Sequence, residues 1–143
     1  MKRPNHGDYL SNGALHTVEH LFATYARGSA LADQVLYVGP MGCRTGFYLL
    51  LRDTVSHRSA LELARGSFAY IMNFSGEIPG SHRRECGNYR EHDLPGARAA
   101  AGRILEVLQN WTAEDMDYAQ SAGEPLPAAA EEEAVASEAD YII

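Results

Sequence analysis

No apolar run in this 143-residue sequence approaches the length of about 20 residues that crosses a bilayer. The basic residues near its start are not followed by an apolar stretch, so the sequence predicts neither a membrane span nor a secretory signal. We therefore expect a cytoplasmic location. With 45% hydrophobic and 22% charged residues, a chain of this length suits one globular domain.

Lysine and arginine are absent after Arg103. Residues 104–143 carry 10 acidic side chains, whereas residues 1–103 carry 12 basic and 9 acidic ones. The net charge of −7 therefore belongs to the C-terminal part, and the rest of the chain is close to neutral. Because the sequence has no basic stripe of the kind that binds phosphate backbones, nucleic acid is not an expected partner.

Cysteine is scarce, with only Cys43 and Cys86 in the sequence. Without an export signal we expect a reducing compartment. There, cysteines more often bind metal or take part in catalysis than form disulfides.

Hydrophobic periodicity predicts helices separated by a small sheet. The first helix is predicted over residues 14–27, with Ser11 or Asn12 as its cap, Gly28 just past its end and a core-facing stripe. That stripe consists of Leu15, Val18, Phe22 and Tyr25. Two later helices are predicted over 59–73 and from Asp93 to about Gln109.

Two short strands complete the predicted fold. They cover residues 35–38 and 47–51 and are joined through the turn at 39–42. The predicted class is α+β, a small antiparallel sheet packed against helices in a single metal-binding domain. We expect this domain to span residues 1–123 and residues 124–143 to form a disordered acidic tail.

The most informative motif is His16-Thr17-Val18-Glu19-His20, an H-x-x-E-H pattern inside the first helix. Residues four apart lie on one side of a helix, so both imidazoles can reach one ion. Glu19 projects to a neighbouring position, from which it can act as a base without being a ligand. The pattern inverts the H-E-x-x-H zinc helix and occurs in inverzincins. The alternative is an exposed His/Glu pair without a metal.

A catalytic metal site needs a third protein ligand and an open position. The candidate is Cys86, because a thiolate binds such ions well and Gly87 relieves crowding beside it. Its alternative is a buried structural cysteine. Cys43 lies between glycines in a turn, where the adjacent Arg44 would favour the reactive thiolate. Judged alone, Cys43 is better explained as a cysteine at the edge of the core.

Three segments together resemble one protein family. They are His16-Thr17-Val18-Glu19-His20-Leu21, then Gly39-Pro40-Met41-Gly42-Cys43-Arg44-Thr45-Gly46-Phe47-Tyr48, then Glu85-Cys86-Gly87-Asn88 with His92-Asp93-Leu94. In residues, order and spacing they resemble S-ribosylhomocysteine lyase, the autoinducer-2 synthase or LuxS family. The resemblance covers roughly residues 2–111.

The resemblance implies an α+β homodimer with active sites at the subunit interface. It also implies one divalent ion per subunit, iron(II) in the first place and zinc or cobalt as alternatives. By the same resemblance His16, His20 and Cys86 are the metal ligands, and Cys43 and Glu19 are the acid–base residues.

The same resemblance also implies the reaction. The substrate would be S-ribosylhomocysteine, and the products would be homocysteine and 4,5-dihydroxypentane-2,3-dione. The reaction belongs to the recycling of methylation by-products in methionine metabolism, and the dione is the precursor of a quorum-sensing signal. The sugar carbonyl must migrate until it lies β to the sulfur-bearing carbon, and a metal stabilises the enediolate charge that develops. Proton transfer then falls to Cys43 and Glu19.

Two other interpretations of the sequence stay open at this point. Members of the family carry a longer N-terminal segment that contacts the substrate, whereas 15 residues precede His16 here. A shortened homologue that binds metal without turnover is therefore one alternative. The second is an inverzincin-type peptidase, but the glutamate that such peptidases use as third ligand has no convincing candidate in the sequence.

Overall fold

The computed structural model describes residues 1–116, which form three α-helices packed against a two-stranded antiparallel sheet. The helices are α1 (Asn12–Arg27), α2 (His57–Asn73) and α3 (Leu94–Gln109), and the strands are β1 (Val35–Pro40) and β2 (Phe47–Leu51). Single 3-10 turns lie at Ala32–Gln34 and Glu114–Met116. The predicted fold class, α+β with a small antiparallel sheet against helices, is confirmed.

Helix α1 begins at Asn12, two residues before its predicted start, and Ser11 is its cap. The Ser11 hydroxyl accepts a hydrogen bond from the backbone N–H of Ala14 at 3.2 Å, which satisfies one donor that the helix leaves free. Gly28 follows the helix as predicted, but its φ of −95° is open to any residue. Glycine is therefore not required there by backbone conformation.

The buried face of α1 is wider than predicted. Val18 and Phe22 are buried as expected, whereas Leu15 and Tyr25 are only half-buried. The helix lies at the centre of the fold and contacts α2, α3 and β1, so more than one stripe is covered. Its other buried residues are Ala14, Thr17, Leu21 and Ala26.

Strands β1 and β2 form a hairpin in which Val38 lies opposite Leu49. Strand β1 continues to Pro40, so the connection covers residues 41–46 and the predicted turn at 39–42 was placed too early. Four large apolar side chains of the hairpin are 46–57% exposed. We call them the hairpin patch: Leu36, Tyr37, Tyr48 and Leu50.

Side-chain caps define the starts of α2 and α3. Ser56 caps α2 by accepting from the N–H of Ser59 at 3.2 Å, so this helix starts before the predicted residue 59. Asp93 caps α3 by accepting from the N–H of Gly96 at 2.9 Å. Pro95 lies in the first turn of α3, where a missing N–H costs little. Both features of α3 were predicted.

Two neighbouring residues of α2 tie this helix to α1 and to the end of α3. A Cβ at Gly66 would overlap the hydroxyl group of Tyr25, which explains a helix-weakening residue at this position. The Arg65 guanidinium donates to the carbonyls of Leu108 and Trp111, each at 2.6 Å. These bonds connect α2 to carbonyl groups in the last turn of α3 and just beyond it, where helix carbonyls lack partners within the helix.

The predicted domain limit at residue 123 and the predicted acidic tail, 124–143, lie outside the described residues. Residues 74–88 are loop throughout, without the strand that the sequence left open. Within residues 1–116 no helix combines the length and the apolar character needed to cross a membrane.

Candidate metal centre

Helix α1 brings His16 and His20 together one turn apart, as their spacing predicts. Their Nε2 atoms lie 3.1 Å from each other, and the two ring planes cross at 76°. Because the planes cross, one ion can lie in the plane of both rings. Both side chains are half-buried, while Thr17 and Val18 between them pack into the core.

Backbone carbonyls fix the tautomer of both histidines. The Nδ1 of His16 lies 2.8 Å from the carbonyl oxygen of Glu91, and the Nδ1 of His20 lies 2.8 Å from that of Pro79. A carbonyl only accepts hydrogen bonds, so each Nδ1 carries the proton and each neutral ring keeps a lone pair on Nε2. Two such lone pairs face each other at 3.1 Å and repel unless a cation or a proton lies between them. This is the usual second-shell arrangement of metal-binding histidines.

Cys86 reaches the same point from a loop 70 residues further along the chain. Its Sγ lies 3.3 Å from the Nε2 of His16. A turn holds the loop, in which the N–H of Cys86 donates to the carbonyl of His82 at 2.9 Å. Bonds of about 2.1 Å to nitrogen and 2.3 Å to sulfur at tetrahedral angles would place such atoms roughly 3.3–3.6 Å apart. The three donor atoms therefore fit a single divalent ion.

His92 is a fourth member of the group. It belongs to the third motif segment, but no role was predicted for it from the sequence. The ligand atoms of His16, His20, Cys86 and His92 all lie within 4.8 Å of one another. The Nδ1 of His92 lies 3.2 Å from the hydroxyl of Thr17. Burial, and then the proximity of His16 and His20, lowers the pKa of His92 below its ordinary value.

Glu19 projects beside the cluster and is not one of its four members. It lines an open groove of about 460 Å³ together with His20, Tyr37 and Pro79. A half-buried carboxylate on the wall of this groove shares it with the cluster residue His20 and is accessible to a molecule in the groove. The H-x-x-E-H spacing thus places the Glu19 carboxylate on the same helix as the two imidazoles but outside the cluster that they form.

Cys43 lies outside the cluster, in the hairpin connection at residues 41–46. Its exposed thiol contacts the hydroxyl of Thr45 at 2.9 Å. Hydrogen bonds from the Thr45 hydroxyl and then from its backbone N–H lower the pKa of Cys43, because both donate to the thiolate. Arg44, which the sequence suggested for this role, instead lies over the ring of Tyr9 at 5.6 Å.

The conformation of Arg44 explains how Thr45 reaches the thiol. Arg44 has a φ of +59°, which is uncommon for a residue other than glycine. This turns the chain back so that residue 45 faces the side chain of residue 43. Nothing in the sequence indicated the role of Thr45. The flanking Gly42 and Gly46 predict a turn, but they do not predict that Arg44 adopts a left-handed conformation.

Fold and site together define a small α+β protein with a His/Cys group, built from one helix and one loop, that could hold a metal ion. Comparison with known proteins gives the same class. Residues 1–115 match the family model described as S-Ribosylhomocysteinase (LuxS). The chain belongs to this family.

Individual relatives support the assignment. The chain is 43% identical over 120 residues to the S-ribosylhomocysteine lyase of Phocaeicola vulgatus, covering 82% of this chain and 74% of the relative. It is 40% identical over 119 residues to the enzyme of the same name from Borreliella afzelii, with 82% and 76% covered. The counterpart from Porphyromonas gingivalis is 43% identical over 120 residues, with the same two shares.

Proposed function

We propose that the protein is a carbon–sulfur lyase that cleaves the thioether of S-ribosylhomocysteine into homocysteine and 4,5-dihydroxypentane-2,3-dione, the autoinducer-2 precursor. One observation carries the proposal: in a chain of this family, His16, His20 and Cys86 converge within 4.8 Å. The relatives that carry this activity in their names match more than four-fifths of the chain. The two reduced cysteines support a cytoplasmic location.

His16, His20 and Cys86 would hold one divalent ion per subunit, iron(II) by preference, with zinc or cobalt as substitutes. Two imidazoles and a thiolate leave one position for substrate, as a catalytic site requires. The peptidase alternative loses support here, because the cluster formed by residues 1–116 contains no carboxylate. When bound, the ion supplies Lewis acidity that stabilises negative charge on the oxygens of the substrate.

Cys43 and Glu19 would move the protons. Each carbonyl shift removes a proton from a carbon beside the carbonyl and returns one to the neighbouring position, so a base that also acts as an acid is required. The lowered pKa of Cys43 keeps more of the thiol in its basic form near neutrality. Glu19, beside the groove, assists the final β-elimination, in which the electron pair of the C–S bond leaves with the homocysteine sulfur.

A homodimer would bring these residues together. Cys43 is exposed and lies outside the cluster of its own chain, so a second copy is the natural source of the missing thiol. The hairpin patch, whose Tyr37 lines the same groove as Glu19, supplies exposed apolar side chains for that contact. We therefore propose that Cys43 of one subunit serves the metal centre of the other.

The test is homocysteine release from S-ribosylhomocysteine, followed with a thiol reagent on anaerobically loaded protein whose metal content is measured in the same sample. Wild-type protein is expected to release one thiol per substrate. Cys43→Ala is the matched control, because it should keep its metal and lose turnover. A metal-loaded wild-type protein without thiol release would contradict the lyase and favour the non-catalytic homologue.

Mixed dimers test the shared site. Cys43→Ala and Cys86→Ala subunits are inactive alone, but random 1:1 mixing would give half heterodimers, each with one intact site. Activity should return to about a quarter of the wild-type value if each site combines the two chains. No recovery after verified subunit exchange would place both cysteines of a site in one chain.

A further inference from the structure

His92 lies in the cluster, but its ring geometry is unlike that of the other histidines. It stacks on His16 with the centroids 4.1 Å apart and only 19° between the planes. A histidine binds a metal with a lone pair that lies in the plane of its ring. An ion bound in the plane of the His16 ring would therefore lie outside the plane of the His92 ring. The ring of His20, at 76° to His16, has no such conflict.

The tautomer of His92 is determined by Thr17. The Thr17 hydroxyl donates to the carbonyl of Gly13 at 2.8 Å, so toward His92 its oxygen can only accept. The Nδ1 of His92 thus carries the proton, and its Nε2 presents a lone pair. This nitrogen is buried, and His92 offers a ring nitrogen within 4.8 Å of the ligand atoms of the other three residues.

The Nε2 of His92 is buried and has no hydrogen-bond partner among residues 1–116. A buried acceptor without a donor is costly, and natural proteins retain few of them. The missing partner must supply an O–H or N–H group and must come from outside residues 1–116. The ribosyl chain of S-ribosylhomocysteine carries hydroxyl groups that meet both conditions.

We propose that His92 is a substrate-contacting residue whose Nε2 accepts a hydrogen bond from a hydroxyl of the ribosyl chain, and that it is not a metal ligand. The proposal rests on the proposed function for the identity of the substrate. Thr17 acts through His92 as a positioning residue, because its hydroxyl selects the tautomer that can accept. The stack on His16 keeps the acceptor beside the ligand set.

Two substitutions distinguish the roles of the two ring nitrogen atoms of His92. In His92→Asn the side-chain amide can still donate to Thr17, but no atom replaces Nε2. In His92→Gln the amide oxygen can replace Nε2 as an acceptor. Both are introduced into cobalt-loaded Cys43→Ala protein, which should bind substrate without converting it. The shift of the cobalt visible band on addition of S-ribosylhomocysteine gives the Kd, and competition with a chelator gives the affinity for cobalt.

For His92→Asn we expect a Kd for substrate weaker by about tenfold, with the cobalt band and the cobalt affinity of the parent. His92→Gln should stay within about threefold of the parent. If the Asn variant does not fold, His92→Phe keeps the stacked ring without nitrogen and should show the same loss. A His92→Asn protein that binds substrate like the parent would overturn the proposal.

Loss of cobalt affinity by more than about 100-fold in His92→Asn, with a changed band, would also overturn it, because His92 would then be a metal ligand. Failure of the proposed function looks different. In that case the cobalt-loaded parent shows no band shift with S-ribosylhomocysteine and the wild-type protein releases no thiol. The present inference would then fall together with the proposed function.

Discussion

The two cysteines differ in how far along the chain their contacting residues lie. Cys86 is held among side chains from α1 and from its own loop, and its neighbour His16 is 70 residues away in the chain. The environment of Cys43 is local, because the lowered pKa comes from Thr45, two residues away. The first site depends on the whole fold, and the second on one turn. Removing a distant partner should therefore disturb metal binding, whereas local changes should tune only the thiol.

The largest expected effect is that of Cys86→Ala, which removes one of the three donor atoms proposed to bind the ion. We expect metal affinity to fall by more than about 100-fold. Mutation of a residue that only hydrogen-bonds to a metal ligand lowers the affinity by about 100-fold at most, and loss of a ligand should cost more. Turnover should be lost with it. Metal content after dialysis, by elemental analysis, is the measurement. Cys86→Asp, which restores an anionic donor, should recover part of the metal, and a full complement in Cys86→Ala would show that the thiolate is no ligand.

Cys43→Ala should separate chemistry from metal binding. Loss of a proton-transfer group typically lowers the rate by about 10²–10⁴-fold, and a decrease in kcat within this range is expected. Metal content should stay at the wild-type level, because Cys43 lies outside the cluster. Steady-state thiol release and elemental analysis on one preparation check both. If the variant lost metal as well, the two cysteines would not be independent.

Metal removal by a chelator should disturb the two regions unequally. Without the ion, the lone pairs of His16 and His20 face each other, and the loop that carries Cys86 loses its anchor. A metal at 100 times its Kd stabilises by about 2.7 kcal/mol, so Tm should fall by about 10 °C. Hydrogen exchange should accelerate most in residues 79–92 and less in the turn at 41–46. Equal acceleration of exchange in residues 79–92 and 41–46 would contradict the view that only the environment of Cys86 depends on the metal.

The local parts of the fold could be predicted from the sequence. The H-x-x-E-H spacing predicted the approach of His16 and His20, and Asp93 with Pro95 predicted the start of α3, because one turn of helix determines these relations. The inward face of α1 was predicted too narrowly, since its width depends on how many elements cover it.

The arrangement around the cluster is a product of the tertiary structure. Cys86 was a candidate third ligand because of its thiolate and the family resemblance, but no spacing rule predicts its approach to His16, since the two residues are 70 positions apart. The carbonyls of Glu91 and Pro79 had no signal at all, because a backbone oxygen is the same in every residue. His92 was visible as a motif residue, but its buried, unpartnered nitrogen follows only from the packing of α1 against the loop.

The smallest effect, and the sharpest test of local control, is expected for Thr45→Val. The Thr45 hydroxyl is the largest cause of the lowered pKa of Cys43, so its loss should raise that pKa toward the ordinary value. If the thiolate is the active form, kcat/KM rises with pH through this pKa. The acidic limb of the profile should therefore move to higher pH, with the plateau unchanged. Thr45→Ser keeps the hydroxyl and should keep the wild-type limb. A limb that stays in place in Thr45→Val would show that another group, and not Cys43, limits the rate at low pH.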